Sequence, residues 1–276
     1  MTILDEIAAY ARERVAAAQE RVPLPELKER LKNEVIACAA TKGLFSALAQ
    51  RRAQGEVGFI CECKKASPSK GLIEPNFDYL KIAQTYEAAG ADAISVLTEP
   101  KWFLGADAYL KTIAAQVSCP CLRKDFVVDA YQIYEAKLLG AKAVLLIVAL
   151  LSDSQLQEYL HLAQELGLDA LVEAHDEAEI ARALKVGARI IGVNNRNLHN
   201  FTVDSGNSTR LKSLVPPEVL FVAESGIASP EQVTTLAAAG CNGLLIGEYL
   251  MRAPDKAALL RTLRQAAQQG IAHDRN

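Results

Sequence analysis

A short pattern recurs along this chain. An alanine- and leucine-rich helical stretch ends at a glycine, and two or three residues later an apolar strand begins. The glycines of the five clearest copies are Gly90, Gly140, Gly167, Gly187 and Gly240. Glycine commonly follows a helix because it adopts a left-handed backbone without steric cost. Short helix-to-strand loops with non-alternating apolar strands are typical of βαβ units. The pattern therefore predicts an α/β fold with a parallel sheet.

The apolar segments number eight, and a helical segment follows each one. They predict strands over residues 57–64, 93–98, 119–124, 143–150, 170–174, 189–194, 220–224 and 243–246. Eight βα units in 276 residues favour a closed (β/α)8 TIM barrel over an open doubly wound sheet. No Gly-x-Gly-x-x-Gly follows the first strand, which argues against a dinucleotide-binding fold. We expect one domain, with residues 1–55 as a helical N-terminal extension and 56–276 as the barrel.

Composition and charge narrow the class of protein. Half of the residues are hydrophobic and the net charge is -3, with acidic and basic residues mixed along the chain. Nothing indicates a nucleic-acid surface. The first residues lack the basic and apolar regions of a signal peptide, and the longest apolar run, 143–151, is too short to span a bilayer. We expect a cytoplasmic protein without nucleic-acid or membrane partners, and take a monomer as the working expectation.

The six cysteines predict packing rather than metal binding. Four of them form Cys-x-Cys pairs, at 61 and 63 and at 119 and 121. Zinc sites usually show Cys-x-x-Cys pairs or nearby histidines, and neither pair has them. We expect reduced, buried, structural thiols.

Polar residues stand where several predicted strands end. A single one could be a charge on the rim, but six such strand ends together favour an active site, because barrel enzymes place theirs at the carboxyl ends of the strands. Strand residues alternate faces, so Glu62 and Lys64 lie opposite Cys61 and Cys63. The polar residues at the strand ends are Glu62, Lys64, Lys124, Glu173, Asn194, Arg196, Glu224 and Glu248.

Two of these ends favour a phosphate site. Ser225-Gly226 and Gly247-Glu248 follow the last two strands, whose loops usually cradle phosphate in this fold. The remaining lysines, carboxylates, asparagine and arginine suit acid–base chemistry on an anionic substrate without metal or cofactor. Phe103 and Phe126 are equally consistent with an aromatic pocket and with plain packing.

Five segments in order resemble the indole-3-glycerol phosphate synthase family. The resemblance covers essentially the whole chain, including the N-terminal helices. Two positions depart from the family pattern, namely Ala106 in place of a serine after the second strand and Glu248 in place of a serine after the eighth. The matching segments are 62–69, 122–126, 171–173, 192–198 and 223–227.

The resemblance implies a (β/α)8 barrel that closes the ring of 1-(2-carboxyphenylamino)-1-deoxyribulose 5-phosphate, losing carbon dioxide and water, without a cofactor. It implies Lys124 as the general acid and Glu173 as base or acid in the dehydration. Lys64 would pair with the substrate carboxylate or phosphate and share the acid role. Implied substrate-binding residues are Glu62, Ser67, Phe103, Phe126, Leu145, Asn194, Arg196 and Glu224. Implied phosphate-binding residues are Ser225, Gly226, Gly247 and Glu248.

Two other functions remain open at this point. One is another phosphate-binding barrel enzyme such as phosphoribosylanthranilate isomerase, whose chemistry typically pairs a cysteine with an aspartate at strand ends. Cys61 and Cys63 are expected to face away, which disfavours it. The other is a non-catalytic phosphate-binding barrel, disfavoured because no acid–base position looks lost.

Overall fold

Eight parallel strands form a closed barrel in this protein. The computed structural model describes residues 2–33, 36, 38–196, 202–204 and 206–274. The strands are β1 (Gly58–Cys63), β2 (Ala93–Leu97), β3 (Cys121–Lys124), β4 (Ala143–Ile147), β5 (Asp169–Ala174), β6 (Ile190–Asn194), β7 (Leu220–Glu224) and β8 (Gly243–Ile246). Each pairs with its neighbours along the chain, and β8 pairs with β1. The predicted (β/α)8 barrel is confirmed.

Helices precede the barrel and then alternate with its strands. Three come first: α1 (Ile3–Arg21), α2 (Leu24–Asn33) and α3 (Leu44–Ala53). The others are α4 (Tyr79–Ala88), α5 (Asp107–Gln116), α6 (Tyr131–Leu138), α7 (Asp153–Glu165), α8 (Glu177–Lys185), α9 (Asn207–Lys212), α10 (Pro230–Ala238), α11 (Glu248–Arg252) and α12 (Lys256–Asp274). In the described residues no helix is both long enough and apolar enough to cross a membrane.

Two of the strand bounds differ from the predicted ones by more than one residue. The third strand begins at Cys121 rather than at residue 119, since Pro120 has no N–H to give to a strand ladder. The fourth strand ends at Ile147, and a 3₁₀ turn takes up residues Val148–Leu150. The pattern also missed helix α11 and a short antiparallel hairpin after β1, formed by Ala66–Ser67 and Gly71–Leu72.

The glycines of the recurring pattern adopt the backbone that the sequence predicts. All five have positive φ, from 66° at Gly167 to 94° at Gly90. A side chain there would be strained, so glycine lets each helix end and its chain turn into the next strand. This local feature repeats the βα unit around the barrel.

Successive side chains point to opposite faces of each strand, so the buried core has two parts. Outward-facing residues such as Cys61, Cys63 and Cys121 are buried beneath the surrounding helices. Inward-facing residues such as Ile60 and Leu122 pack inside the barrel. All six cysteines are unpaired thiols, but Cys38 and Cys119 are only half-buried, contrary to the expectation that all are buried.

The N-terminal helices contact opposite ends of the barrel. Leu48 of α3 lies against the first residues of β1 and β8, Gly58 and Gly243, and so closes the amino end of the barrel. Helix α1 lies near the carboxyl end, where Arg14 donates two hydrogen bonds to Asp125, of 2.7 and 3.2 Å. The open end of the barrel is therefore covered in part by α1.

Candidate active site

A cavity of about 580 Å³ lies at the carboxyl ends of the strands. It is lined by every residue that the sequence analysis assigned to the site, so residues far apart in the chain meet in one place. Helix α1 contributes Ile3, Leu4 and Ile7 to the wall. The assigned residues that line the cavity are Glu62, Lys64, Ser67, Phe103, Lys124, Phe126, Leu145, Glu173, Asn194, Arg196, Glu224, Ser225, Gly226, Gly247 and Glu248.

The end of β1 carries a buried ion pair. Lys64 Nζ lies 2.8 Å from Glu62 Oε1, and Ser95 of β2 donates a hydrogen bond of 3.2 Å to Glu62 Oε2. Burial opposes ionisation of Glu62, but the charges of Lys64 and Lys124 outweigh it and lower its pKa. Glu62 is thus a carboxylate that orients Lys64 toward the cavity.

Lys124 stands between two carboxylates. Its Nζ lies 3.2 Å from Glu173 Oε2 and 3.5 Å from Glu224 Oε2. Burial would lower the pKa of Lys124, but Glu173, Glu224 and Glu62 together raise it well above its ordinary value. The side chain is therefore an ammonium ion, and it carries a proton that can be given to a substrate oxygen.

The Glu173 carboxylate lies between Lys124 on one side and a histidine on the other. Its Oε1 lies 3.5 Å from His175 Nε2. Burial would raise the pKa of Glu173, but Lys124, His175 and a hydrogen bond from Asn194 lower it. Asn194 is held in turn, since its Oδ1 accepts a 3.0 Å hydrogen bond from the Arg196 backbone N–H. Glu173 is therefore a carboxylate at the end of β5.

Glu224, in contrast to Glu173, is shifted toward its protonated form. Burial and the nearby charges of Glu173 and Glu62 raise its pKa to about 8, against the attraction of Lys124. Its side chain lies over Gly192 of β6, where a Cβ atom would overlap Oε1. Within the described chain neither oxygen of Glu224 has a hydrogen-bond partner. Buried polar atoms without partners are costly, so these oxygens fit a ligand that supplies hydroxyl groups.

One part of the cavity wall is aromatic and apolar. The rings of Phe103 and Phe126 lie 5.9 Å apart at 39° to each other, and Leu145 of β4 packs in the same apolar cluster as Phe126. The buried Glu99 fixes the loop that carries Phe103, because its Oε2 accepts hydrogen bonds from the N–H groups of Trp102 and Phe103, at 2.7 and 2.9 Å. Both phenylalanines therefore face a pocket as well as pack.

The ends of β7 and β8 form a second, small-residue part of the wall. Ser225 and Gly226 both have positive φ, 64° and 72°, and Asn195 donates a 3.1 Å hydrogen bond to the Ser225 carbonyl. A Cβ at Gly247 would overlap Glu62 and lie 2.8 Å from Lys64 Nζ, so a side chain there would displace this ion pair.

Basic groups adjoin this small-residue wall. Glu248 accepts a 3.0 Å hydrogen bond from Arg252, and Lys70 lies 4.0 Å from the same carboxylate. Lys70 and Arg252 both line the cavity. The negative charge of Glu248 is therefore balanced at its own position. Asn197 and Leu198, the last residues of one matching segment, lie outside the described residues.

Several residues of the site were missed from the sequence. Asp125, Lys70 and Arg252 line the cavity, and His175 contacts Glu173. Asp125 directly follows Lys124 and His175 directly follows β5, so their positions were visible; their contacts with Arg14 and Glu173 were not. Over the described part of the chain, no group of three or more His, Cys, Asp or Glu could hold a metal ion.

Comparison with known protein families gives one consistent answer. The model of the family described as indole-3-glycerol phosphate synthase matches residues 4–263. A protein of that name from Ruminiclostridium cellulolyticum is 52% identical, over 96% of this chain and 100% of its own. Those from Lachnoclostridium phytofermentans and Leuconostoc mesenteroides are 48% and 50% identical, each over 95% of this chain and 98% of their own.

Solved structures share the fold at much lower identity. One described as "Native KDPGal structure" superposes with a TM-score of 0.56 at 16% identity, covering 78% of this chain and 96% of its own. At that identity the likeness concerns the fold alone.

Proposed function

This chain belongs to the indole-3-glycerol phosphate synthase family, and from that premise we propose that its cavity closes an indole ring. The proposed substrate is 1-(2-carboxyphenylamino)-1-deoxyribulose 5-phosphate. The proposed products are indole-3-glycerol phosphate, carbon dioxide and water. The protein is then a carbon–carbon lyase, a decarboxylase of tryptophan biosynthesis. A cytoplasmic location and a monomeric state stay predictions from the sequence.

The chemistry of the cavity wall supports this substrate. An aromatic ring fits the apolar wall of Phe103, Phe126 and Leu145. A phosphate fits the small-residue wall of Ser225 and Gly247, where Lys64, Lys70 and Arg252 supply positive charge. The sugar chain between them would lie beside the charged strand ends.

Lys124 is proposed as the acid of the ring closure. The substrate's aromatic carbon attacks the ketone carbon, and the ketone oxygen gains electron density and takes a proton from Nζ. Carbon dioxide then leaves the ring carbon that made the attack, and the electron pair of the broken carbon–carbon bond restores the aromatic ring. The observation that carries the proposal is the Lys124 ammonium group held between Glu173 and Glu224 in the cavity.

Dehydration follows, and Glu173 is proposed to transfer protons in it. Its lowered pKa supplies a carboxylate that can accept a substrate proton before the hydroxyl group leaves as water. Lys64, oriented by Glu62, is proposed to pair with the substrate carboxylate or phosphate and to share the acid role. Glu224 and Asn194 are proposed to bind the sugar hydroxyls, since in the described chain the Glu224 oxygens have no hydrogen-bond partner and only the ion pair with Lys124.

Phosphoribosylanthranilate isomerase chemistry finds no support in this cavity. No cysteine is among the described residues that line it, because the strand cysteines pack under the helices. The full-length relatives also carry the synthase name alone.

An indole-forming assay on the carboxyphenylamino substrate tests the proposal. The wild-type protein should release carbon dioxide and indole-3-glycerol phosphate in equal amounts. Lys124→Ala should lower kcat by at least about 100-fold, the usual contribution of a general acid. Lys111→Ala, a change of an exposed lysine on α5, serves as the control and should leave kcat unchanged. A Lys124→Ala protein that keeps a tenth of kcat would rule out Lys124 as the acid, and binding without turnover by the wild type would rule out the enzyme.

A further inference from the structure

His175 lies just outside the cavity and has no part in the roles proposed above. It follows β5 directly, and its side chain is 18% exposed. Its Nδ1 lies 3.0 Å from Glu179 Oε2, which also accepts a 2.8 Å hydrogen bond from the His175 backbone N–H. Glu179 is itself held, because its backbone N–H donates to Asp176 Oδ1 at 2.8 Å. A carboxylate of helix α8 therefore fixes one nitrogen of the imidazole ring.

The other ring nitrogen faces Glu173. Nε2 is 3.5 Å from Glu173 Oε1, is buried, and has no hydrogen-bond partner in the described chain. The second oxygen of Glu173 accepts a 3.2 Å hydrogen bond from Lys124 Nζ. The Glu173 carboxylate thus lies between a lysine and a histidine, with one of them at each oxygen.

The hydrogen-bonding capacity of these groups limits where a proton can be. An ionised carboxylate only accepts hydrogen bonds, so Nδ1 must carry a proton to bond to Glu179. In a neutral ring, Nε2 would then present a lone pair to the negative Oε1 of Glu173. That contact is repulsive, so a proton belongs between Nε2 and Oε1. Glu179 favours the ring as its carrier, as a carboxylate does for the imidazolium of a hydrolase triad.

We propose that His175 is a positioning residue for Glu173: with Glu179 it keeps this proton on Nε2, so that Glu173 enters the dehydration as an oriented carboxylate. The inference deepens the function proposed above and rests on it. In the described chain, the titratable groups facing His175 are Glu173 near the end of β5, Glu179 on α8 and Glu224 on β7. Burial would lower the pKa of His175, but the hydrogen bond to Glu179 and the charges of Glu173 and Glu224 raise it. The protonated ring therefore persists to higher pH than in an ordinary histidine.

The first test needs no turnover. The ring of His175 in the full-length protein can be titrated by ¹⁵N-edited NMR, with its signals assigned through His175→Gln. Its pKa should lie above the ordinary 6.5 and should fall in Glu179→Gln. His161 is a matched control, since it forms the same i,i+4 pair with Glu165 but is 72% exposed. The NMR signals of His161 should be the same in the wild type and in Glu179→Gln. A His175 pKa at or below 6.5 that does not respond to Glu179→Gln would overturn the proposal, whether or not the protein turns over.

The second test is kinetic. His175→Ala should lower kcat about tenfold or more with little change in KM, because His175 transfers its effect through Glu173 and does not line the cavity. His175→Gln places an N–H donor near Nε2 but cannot titrate. It should recover much of kcat and lose the limb of the pH profile that belongs to the histidine, while His161→Ala changes neither.

Two kinetic results contradict the proposal. One is a folded His175→Ala protein that keeps its kcat. The other is a His175→Gln protein whose kcat is no higher than that of His175→Ala. That result would mean that the ring serves only for packing, because restoring an N–H donor would then have no effect. An inactive wild-type protein would refute the proposed function instead, and the NMR titration would still decide where the proton lies.

Discussion

Glu224 shows how one glycine makes room for a functional group. Its carboxylate lies over Gly192, in the strand next to its own, and a Cβ at position 192 would overlap Oε1 and lie 3.1 Å from Leu171 Cδ1. The Glu224 oxygens reach the neighbourhood of Lys124 only because nothing projects from β6 at this point.

Gly192→Ala should therefore push Glu224 away from Lys124. We expect a fall in kcat or a rise in KM of about tenfold or more, in a protein destabilised by about 1–3 kcal/mol through overpacking. Steady-state kinetics and urea unfolding measure the two effects.

Gly243→Ala is the matched control. Gly243 also lies in a barrel strand, but at the amino end of β8, where a Cβ would meet the side chains of Val222 and Leu48 at 3.2–3.5 Å. It should cost stability while leaving kcat unchanged. If both variants lose activity equally, the loss reflects the barrel and not the position of Glu224.

At the scale of whole elements, the sequence predicted the barrel and the inward-facing residues at the end of the first strand. Alternation put Glu62 and Lys64 opposite Cys61 and Cys63, and both sides are as predicted. These features could be read because each depends on residues within one βα unit.

Contacts between distant elements were not predictable in this way. The N-terminal extension was predicted to be helical, but nothing in its sequence indicated which surface its helices would cover. In the structure Ile3, Leu4 and Ile7 line the cavity. Arg14 reaches Asp125, 111 positions further along the chain, and no local pattern pairs two such residues.

The ion pair between Arg14 and Asp125 ties α1 to the strand end that carries Lys124. Asp125 is buried and also accepts a 2.6 Å hydrogen bond from Thr98, whereas the Arg14 side chain is 22% exposed. Arg14→Ala would remove two hydrogen bonds from a buried carboxylate, which would keep the hydrogen bond from Thr98 and the charge of Arg123 at 3.8 Å. Breaking a fully buried pair costs about 3–5 kcal/mol, so we expect a loss of up to about 3 kcal/mol here, together with a lower kcat.

Urea unfolding and kinetics measure this prediction, with Lys32→Ala as the control. Lys32 pairs with Glu29 on the exposed face of α2, where both side chains are more than half exposed, so its removal should change stability by no more than about 0.5 kcal/mol. Equal effects from the two variants would mean that the Arg14 pair does not hold α1 in place.

Across the whole molecule, the cavity concentrates charge that the fold must tolerate. The cavity contains three buried carboxylates and two lysines, namely Glu62, Glu173 and Glu224 with Lys64 and Lys124. With more acids than lysines in one site, one carboxylate is forced toward its protonated form, as in other sites where carboxylates crowd together. The pKa of Glu224 rises to about 8, whereas the pKa of Glu62 falls.

These opposite shifts predict opposite effects of neutral substitutions on stability. The folded state prefers protonated Glu224, so its ionisation destabilises the fold increasingly as the pH rises from 4.5, its ordinary pKa, to about 8. Glu224→Gln should therefore be more stable than the wild type near pH 9, by at most a few kcal/mol, and equal to it in acid. Glu62 contributes stability above pH 4.5 that is lost as the pH falls through its lowered pKa.

Glu62→Gln should accordingly be less stable than the wild type at neutral and alkaline pH, and the difference should shrink in acid. Urea unfolding of the three proteins at about pH 3, 5, 7 and 9 measures both trends in one series, because the Glu62 effect is lost only below pH 4.5 and the Glu224 effect appears above it. Both variants replace a carboxyl group by an amide. Any general effect of an amide on the free energy of unfolding therefore appears in both of them. If Glu224→Gln is less stable than the wild type at pH 9, Glu224 is ionised in the folded protein, and it is not the carboxylate whose pKa the crowding of negative charge raises.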